Sequence, residues 1–295
     1  MANARIALVT GANQGLGFAL VQGLAARMDR DDLVLLTGRD AHRVADAVTR
    51  VTGSADTNSR VEGRVLDVTD AGAVAELAAE LGARHGGVDI VVSNASAMLT
   101  PDRPQAEQAD AFIDVANGGA HAMLRSFGPV LRPGGRLIVV ASSLGTLGHL
   151  DARLHPLFDD APLDEVEAVV ASWRAAVHAG TEREAGWPRW INVPSKVAQV
   201  AAVRAVAAER RDADLARGTL VAAVCPGLVD TPLSRPWFTD FSQARTPERA
   251  AVAVLDLLLR EKADPALYGE LVRFGEVVPW HAGRPPHHQE RLLGS

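Results

Sequence analysis

Short apolar runs alternate along this chain with longer stretches in which apolar residues recur every three or four positions. The runs at 6–9, 33–37, 61–66, 88–92, 136–140 and 220–225 read as strands. The segments 18–27, 41–51, 71–84, 197–211 and a long one within 105–127 have helical spacing. The strands are apolar along most of their length, so both faces of their sheet must be covered. Strands alternating with helices then imply parallel pairing: a Rossmann-type, doubly wound α/β fold. A last strand is expected just after Tyr268, and residues 1–280 read as a single domain. The alternation breaks at 144–191, far longer than a normal crossover. Within this stretch Leu163, Val166, Val169, Val170, Trp173 and Val177 are helically spaced behind Asp164, Glu165 and Glu167. That pattern predicts an inserted helix over one edge of the ligand-binding side. The charged stretch 29–32 reads as a plain turn, and 281–295 has no period and reads as a loose tail.

Composition narrows the possibilities. Of 295 residues 47% are hydrophobic, enough for a large core, and the formal net charge is −6. That balance argues against a general binder of nucleic acid or anionic membrane. A single cysteine, Cys225, rules out an internal disulfide and a cysteine zinc cage, and no histidine or carboxylate spacing suggests a metal. No apolar stretch has the length of a membrane helix, and the first strand starts at once, so a cytoplasmic protein is expected.

The first strand runs into Thr10-Gly11-Ala12-Asn13-Gln14-Gly15-Leu16-Gly17 and then a helix. Glycines let the backbone turn sharply and approach a ligand, while a helix N-terminus aims free N–H groups at an anion. Gly11, Asn13, Gln14, Gly15, Leu16 and Gly17 thus form a candidate phosphate cradle. At the end of the second strand a dinucleotide fold uses a carboxylate to hold a ribose 2′-hydroxyl, or an arginine to accommodate a 2′-phosphate. Arg39 stands there, with Arg43 one turn on, which favours NADP(H); Asp40 could instead neutralise Arg39. Asp67, followed by Val68, could meet the adenine or cap the next helix. Asn94, among small residues, suits a backbone passing close to a cofactor ribose.

Taken together, TGANQGLG, LLTGRDAHR, the SNA segment, GGRLIVVASS, EAGWP and CPGLVDTP resemble the short-chain dehydrogenases/reductases, in particular their long-insert carbonyl reductase branch. The resemblance spans most of residues 5–280 and implies NADPH-dependent reduction of a ketone, an aldehyde or a quinone-like substrate. It implies that Asn117 bends its helix and holds a relay water, and that Ser142 bonds the substrate oxygen. It also implies that Lys196 binds the nicotinamide ribose, and that Pro226, Gly227, Val229 and Thr231 hold the carboxamide. The family's tyrosine should stand four residues before that lysine, and here the position is Asn192. An amide can orient a carbonyl but does not titrate in water's range, so it cannot be the general acid. Tyr268 is the chain's one phenol and is expected to be structural.

Three readings follow: a reductase with a substitute proton donor, a non-redox cyclase, isomerase or dehydratase of secondary metabolism that keeps NADP(H) as a pocket wall, or an NADP(H)-sensing protein. His149, His155 and His178 are candidates to face a small-molecule substrate, and Trp187 and Trp190 to form an apolar wall for a ring. The inserted helix resembles the one that covers the dimerisation face in carbonyl reductases, so a monomer is expected.

Overall fold

A computed structural model describes residues 4–282. Its strands are β1 (Ile6–Val9), β2 (Leu33–Gly38), β3 (Arg60–Val65), β4 (Val88–Ser93), β5 (Leu131–Val140), β6 (Leu220–Cys225), β7 (Leu271–Arg273) and β8 (Glu276–Val278). They form one sheet in the order β3-β2-β1-β4-β5-β6-β7-β8, parallel except for the final β7–β8 pair. Residues of β1, β2 and β6 are buried throughout, as their unbroken apolar runs require.

The helices are α1 (Gly15–Arg27), α2 (Ala41–Thr52), α3 (Ala71–His85), α4 (Gln105–Ile113), α5 (Gly119–Phe127), α6 (Leu163–Ala179), α7 (Asn192–Ala216) and α8 (Pro247–Leu259). The long helix expected within 105–127 is α4 and α5 joined by one π-helical turn, Asp114–Gly118. The inserted helix α6 has the expected bounds. It buries Leu163, Val166, Val170, Trp173 and Val177, and packs on α4 and α7.

Several expectations are corrected. Helix α8 and strand β8 were not anticipated. Asp70, not Asp67, caps α3 by accepting from the Ala73 N–H at 3.0 Å. The turn at 29–32 is more than a charged surface: Asp32 is buried and accepts from the N–H groups of Arg5 (2.7 Å) and Asp29 (3.0 Å). The start of the expected tail is fastened. The Leu147 N–H donates to the Trp280 carbonyl, the Trp280 indole to Asp159, and the Thr146 hydroxyl to the Ala282 carbonyl. The rest of that tail, 283–295, lies outside the described residues.

Candidate active site

Every segment that the sequence marks as a site leaves the same, carboxyl-terminal end of the sheet. The glycine turn follows β1, Arg39 follows β2, Asp67 and Val68 follow β3, Asn94 follows β4, Ser142 follows β5, and Pro226 follows β6. The chain reverses direction across the sheet between β1 and β4, and ligands of open α/β sheets bind in the crevice at that point.

The turn after β1 is built around its glycines. Gly11 and Gly15 have φ of +61° and +57°, conformations that side chains disfavour. A Cβ on Gly11 would lie 2.8 Å from the Ala95 Cα, and one on Gly17 would lie 2.5 Å from the Asn94 amide nitrogen. Asn94 is spent holding this turn: its amide donates to the Thr10 carbonyl (2.9 Å) and the Gly11 carbonyl (3.3 Å), and its N–H to the Thr10 hydroxyl (2.9 Å). The close passage of backbone expected there is therefore to the glycine turn. Helix α1 starts under the turn with no side-chain cap and no acidic residue in its first turn, and Leu16 is buried behind it. Asp40, Asp70 and Thr246 cap α2, α3 and α8, while α4, α6 and α7, like α1, begin without a side-chain cap. The first N–H groups of α1 are left for an outside acceptor.

Two arginines grip the same turn. Arg43 Nη2 donates to Gln14 Oε1 at 2.5 Å, and with the Asn13 amide turned so that its oxygen faces Arg43, that oxygen accepts from Nη2 and Nε, each at 3.1 Å. Arg50 donates to the Asn13 carbonyl at 2.9 Å. Asp40 does not neutralise Arg39; its carboxylate caps α2 by accepting from the Arg43 N–H. Arg39 is exposed and makes no ion pair among the described residues. Asp67 accepts from the N–H and hydroxyl of Thr69, and Val68 packs against Gly119.

On the other side of the crevice, Asn117 sits in the π turn, fully buried. Its amide donates to the Ser195 carbonyl (3.0 Å) and accepts from the Ser195 hydroxyl (2.8 Å), so it locks the π turn to α7. Gly145, just past Ser142, is pressed onto α7: a Cβ there would lie 2.8 Å from the Lys196 carbonyl. Ser142, Asn192 and Lys196 are each half-buried. Lys196 Nζ donates to Gln199 Oε1 at 2.8 Å, and Gln199 Nε2 donates to the Ala116 carbonyl at 2.6 Å. Burial pushes the Lys196 ammonium down to about 8. Gln199 was missed in the sequence. Its only signal there is its place three residues after Lys196, on the same helix face.

After β6, Val229 pairs with Arg245 and closes a loop at its base. The Ser234 hydroxyl knits Thr231 into that loop, accepting from the Thr231 N–H at 3.1 Å. A Cβ on Gly15 would stand 3.5 Å from the Thr231 Cγ2, so the segment beginning at Pro226 and Gly227 reaches the glycine turn. Trp237 of this loop lies 5.2 Å from Trp190, ring centre to ring centre, and donates its indole N–H to the Leu99 carbonyl at 2.8 Å. Trp187 does not join Trp190 in a wall; it packs between Phe158 and Trp173 inside the insertion.

The histidines of the insertion are engaged elsewhere. His149 is buried against the Thr146 hydroxyl, His155 lies 3.3 Å from the Leu150 carbonyl, and His178 lies 2.9 Å from Asp110. Tyr268 is buried and donates to Asp214 at 2.9 Å.

A family model for the short chain dehydrogenases matches residues 5–152, half of the chain, and the protein belongs to that family. Among its relatives are carbonyl reductase [NADPH] 1 of Sus scrofa, 28% identical over 96% of each chain, and carbonyl reductase [NADPH] 3 of Mus musculus, 29% identical over 94% of this chain and 98% of the other. Similar solved structures include the menthone neomenthol reductase of Mentha piperita (TM-score 0.74, 23% identity, covering 93% of this chain and all of that one). The NADPH-bound carbonyl reductase from chicken fatty liver has a TM-score of 0.67 at 19% identity, covering 95% of this chain and 100% of that one. These structural likenesses bear on the fold.

Proposed function

We propose that the protein binds NADP(H) and reduces a ketone, an aldehyde or a quinone-like carbonyl at a site without the family's tyrosine. The observation that carries this reading is the uncapped start of α1 beneath a turn that Arg43 grips, with exposed Arg39 beside it. Such a place suits a pyrophosphate on the helix N–H groups and a 2′-phosphate on the guanidinium forks. The relatives' names, carbonyl reductase [NADPH], support the same cofactor and reaction.

The residues fit the group. At Gly15 a Cβ would meet nothing nearer than the Thr231 Cγ2 at 3.5 Å, so the turn is open on that side. A bound dihydronicotinamide would supply the hydride. Around it, Gly11 to Gly17 would hold the pyrophosphate, Arg39 and Arg43 the 2′-phosphate, and Asp67 with Val68 the adenine edge. Pro226, Gly227, Val229 and Thr231 would line the carboxamide. Lys196 uses one ammonium donor on Gln199 and has two left, of which one would meet a ribose hydroxyl. The Ser142 hydroxyl would donate to the substrate oxygen, and Asn192 would orient it. Asn117 shapes the site through the π turn. Helix α6 covers α4 and α7, supporting a monomer.

Titration with NADPH and NADH by calorimetry, followed by NADPH oxidation with a panel of ketones, aldehydes and quinones, tests the reading. Tight NADPH binding and carbonyl reduction are expected. Absence of NADPH binding would refute it. The lack of a phenol at Asn192 favours a second reading, a non-redox enzyme on this scaffold. Its mark would be substrate turnover that NADP+ supports as well as NADPH does.

A further inference from the structure

We propose that Lys196 gives the proton that completes carbonyl reduction in this protein, and that Gln199 is the residue that positions it. The inference rests on the reading above, that NADPH is bound and a carbonyl reduced.

The other candidate acids are placed out of the way. Tyr268 hangs on Asp214, near the end of α7 opposite Asn192. His149, His155 and His178 are held by Thr146, Leu150 and Asp110, and His121 is buried opposite Glu167. Lys196 stands one helical turn from Asn192, on the face where the family carries its phenol.

Gln199 fixes the lysine's orientation. It is 3% exposed, and its Nε2 is committed to the Ala116 carbonyl in the π turn. Its Oε1 must then face Lys196, and it accepts from Nζ. A neutral acceptor holds the ammonium in place without clamping its charge, as a carboxylate would. Burial lowers the lysine to about 8, with Cys225 at the end of β6 as a smaller opposing influence. A lysine in this range can give and take a proton near neutrality, which arginine cannot.

The step balances. With NADPH bound, its hydride would form the C–H bond at the carbonyl carbon and the carbonyl π pair would move to oxygen. An Nζ–H bond breaks as that oxygen takes the proton. The carbonyl is reduced to an alcohol, the dihydronicotinamide is oxidised, and the neutral amine is reprotonated from water. Asn192, shorter than a phenol, would leave a substrate oxygen space on this face of α7.

The chain has two lysines, Lys196 and Lys262, so reductive methylation with 13C-formaldehyde yields two lysine signals to titrate by NMR. The Lys196 signal is expected to titrate near 8 in the cofactor-free protein. Activity should fall with rising pH along the same curve. Lys196→Arg should bind NADPH within a few-fold of wild type and lose reduction by about a hundredfold or more. Gln199→Glu should move both the NMR midpoint and the descending limb upward by about one unit, since a nearby anion favours the charged amine. A Lys196 midpoint near 10, or full activity in Lys196→Arg, overturns the proposal while leaving the reductase reading intact. Wild-type protein that reduces no carbonyl overturns the reductase reading, and the acid's role with it.

Discussion

Tyr268 and Asp214 share a buried hydrogen bond of 2.9 Å, and this places the chain's one phenol by the end of α7 opposite Asn192. Twenty-two residues of helix separate Asn192 from Asp214, a rise of about 33 Å. The phenol is also held above its ordinary titration range, first by burial and then by the Asp214 carboxylate. Tyr268→Phe should therefore leave carbonyl reduction and NADPH affinity unchanged. It should cost about 1–2 kcal/mol of stability, read from chemical denaturation, since Asp214 keeps its two contacts with Arg210.

Restoring the phenol where the family has it should do the reverse. Asn192→Tyr is expected to raise the rate of carbonyl reduction by about two orders of magnitude, the lower end of what general acids supply. Steady-state kinetics on the substrate that wild type reduces best would check this. An unchanged rate would mean that the proton is not limiting.

Arg43 should govern the choice between phosphorylated and unphosphorylated cofactor. Arg43→Ala removes charge-assisted hydrogen bonds worth about 1.5–3 kcal/mol. NADPH affinity should fall roughly 10- to 100-fold, while NADH affinity moves much less. Calorimetry on both cofactors separates the two effects, and an equal loss for both would assign Arg43 to the turn alone.

Gly17→Ala tests the fit between the turn and β4. The added Cβ would fall 2.5 Å from the Asn94 amide and 2.7 Å from the Gly11 carbonyl, so backbone must shift. A destabilisation of about 1–3 kcal/mol with loss of nucleotide binding is expected, measured by thermal melts with and without NADPH.

His121 makes stability depend on pH. It is 5% exposed between α5 and α6, its Nε2 has no partner among the described residues, and burial lowers it to about 4. The unfolded chain takes up this proton below about 6.5, whereas the folded one does so only near 4. Stability should hold above pH 6.5, fall as the pH drops toward 4, and lose up to about 3 kcal/mol there. In His121→Gln that part of the decline should disappear from denaturation curves taken between pH 4 and 7.

How far the sequence shows all this depends on what each feature needs. Most strands and the bounds of α6 are visible because burial imposes a pattern on the residues themselves, although β5 begins at Leu131, ahead of its apolar run. The glycine turn and Arg39 are visible because their backbone and charge requirements are local. The roles of Asn94 and Gln199 are not, since each is decided by contacts distant in sequence: Asn94 with Thr10 and Gly11, Gln199 with Ala116. The expected placing of Trp187 beside Trp190 fails for a similar reason, because its partners Phe158 and Trp173 lie elsewhere in the insertion. Helix α8 and the hairpin strand β8 follow a loop closed by Val229 and Arg245, a pairing that no short-range pattern announces.

Arg43 reaches Gln14 and Asn13 of its own chain. An arginine waving in solvent would surrender its rotamer freedom at each encounter with a nucleotide. Here much of that ordering is completed during folding, and a phosphate arriving at the turn exchanges hydrogen-bond partners with a side chain already standing in place. Discrimination at this end of the crevice then comes from the strength of that exchange, so a ligand without a phosphate to offer finds the guanidinium already satisfied.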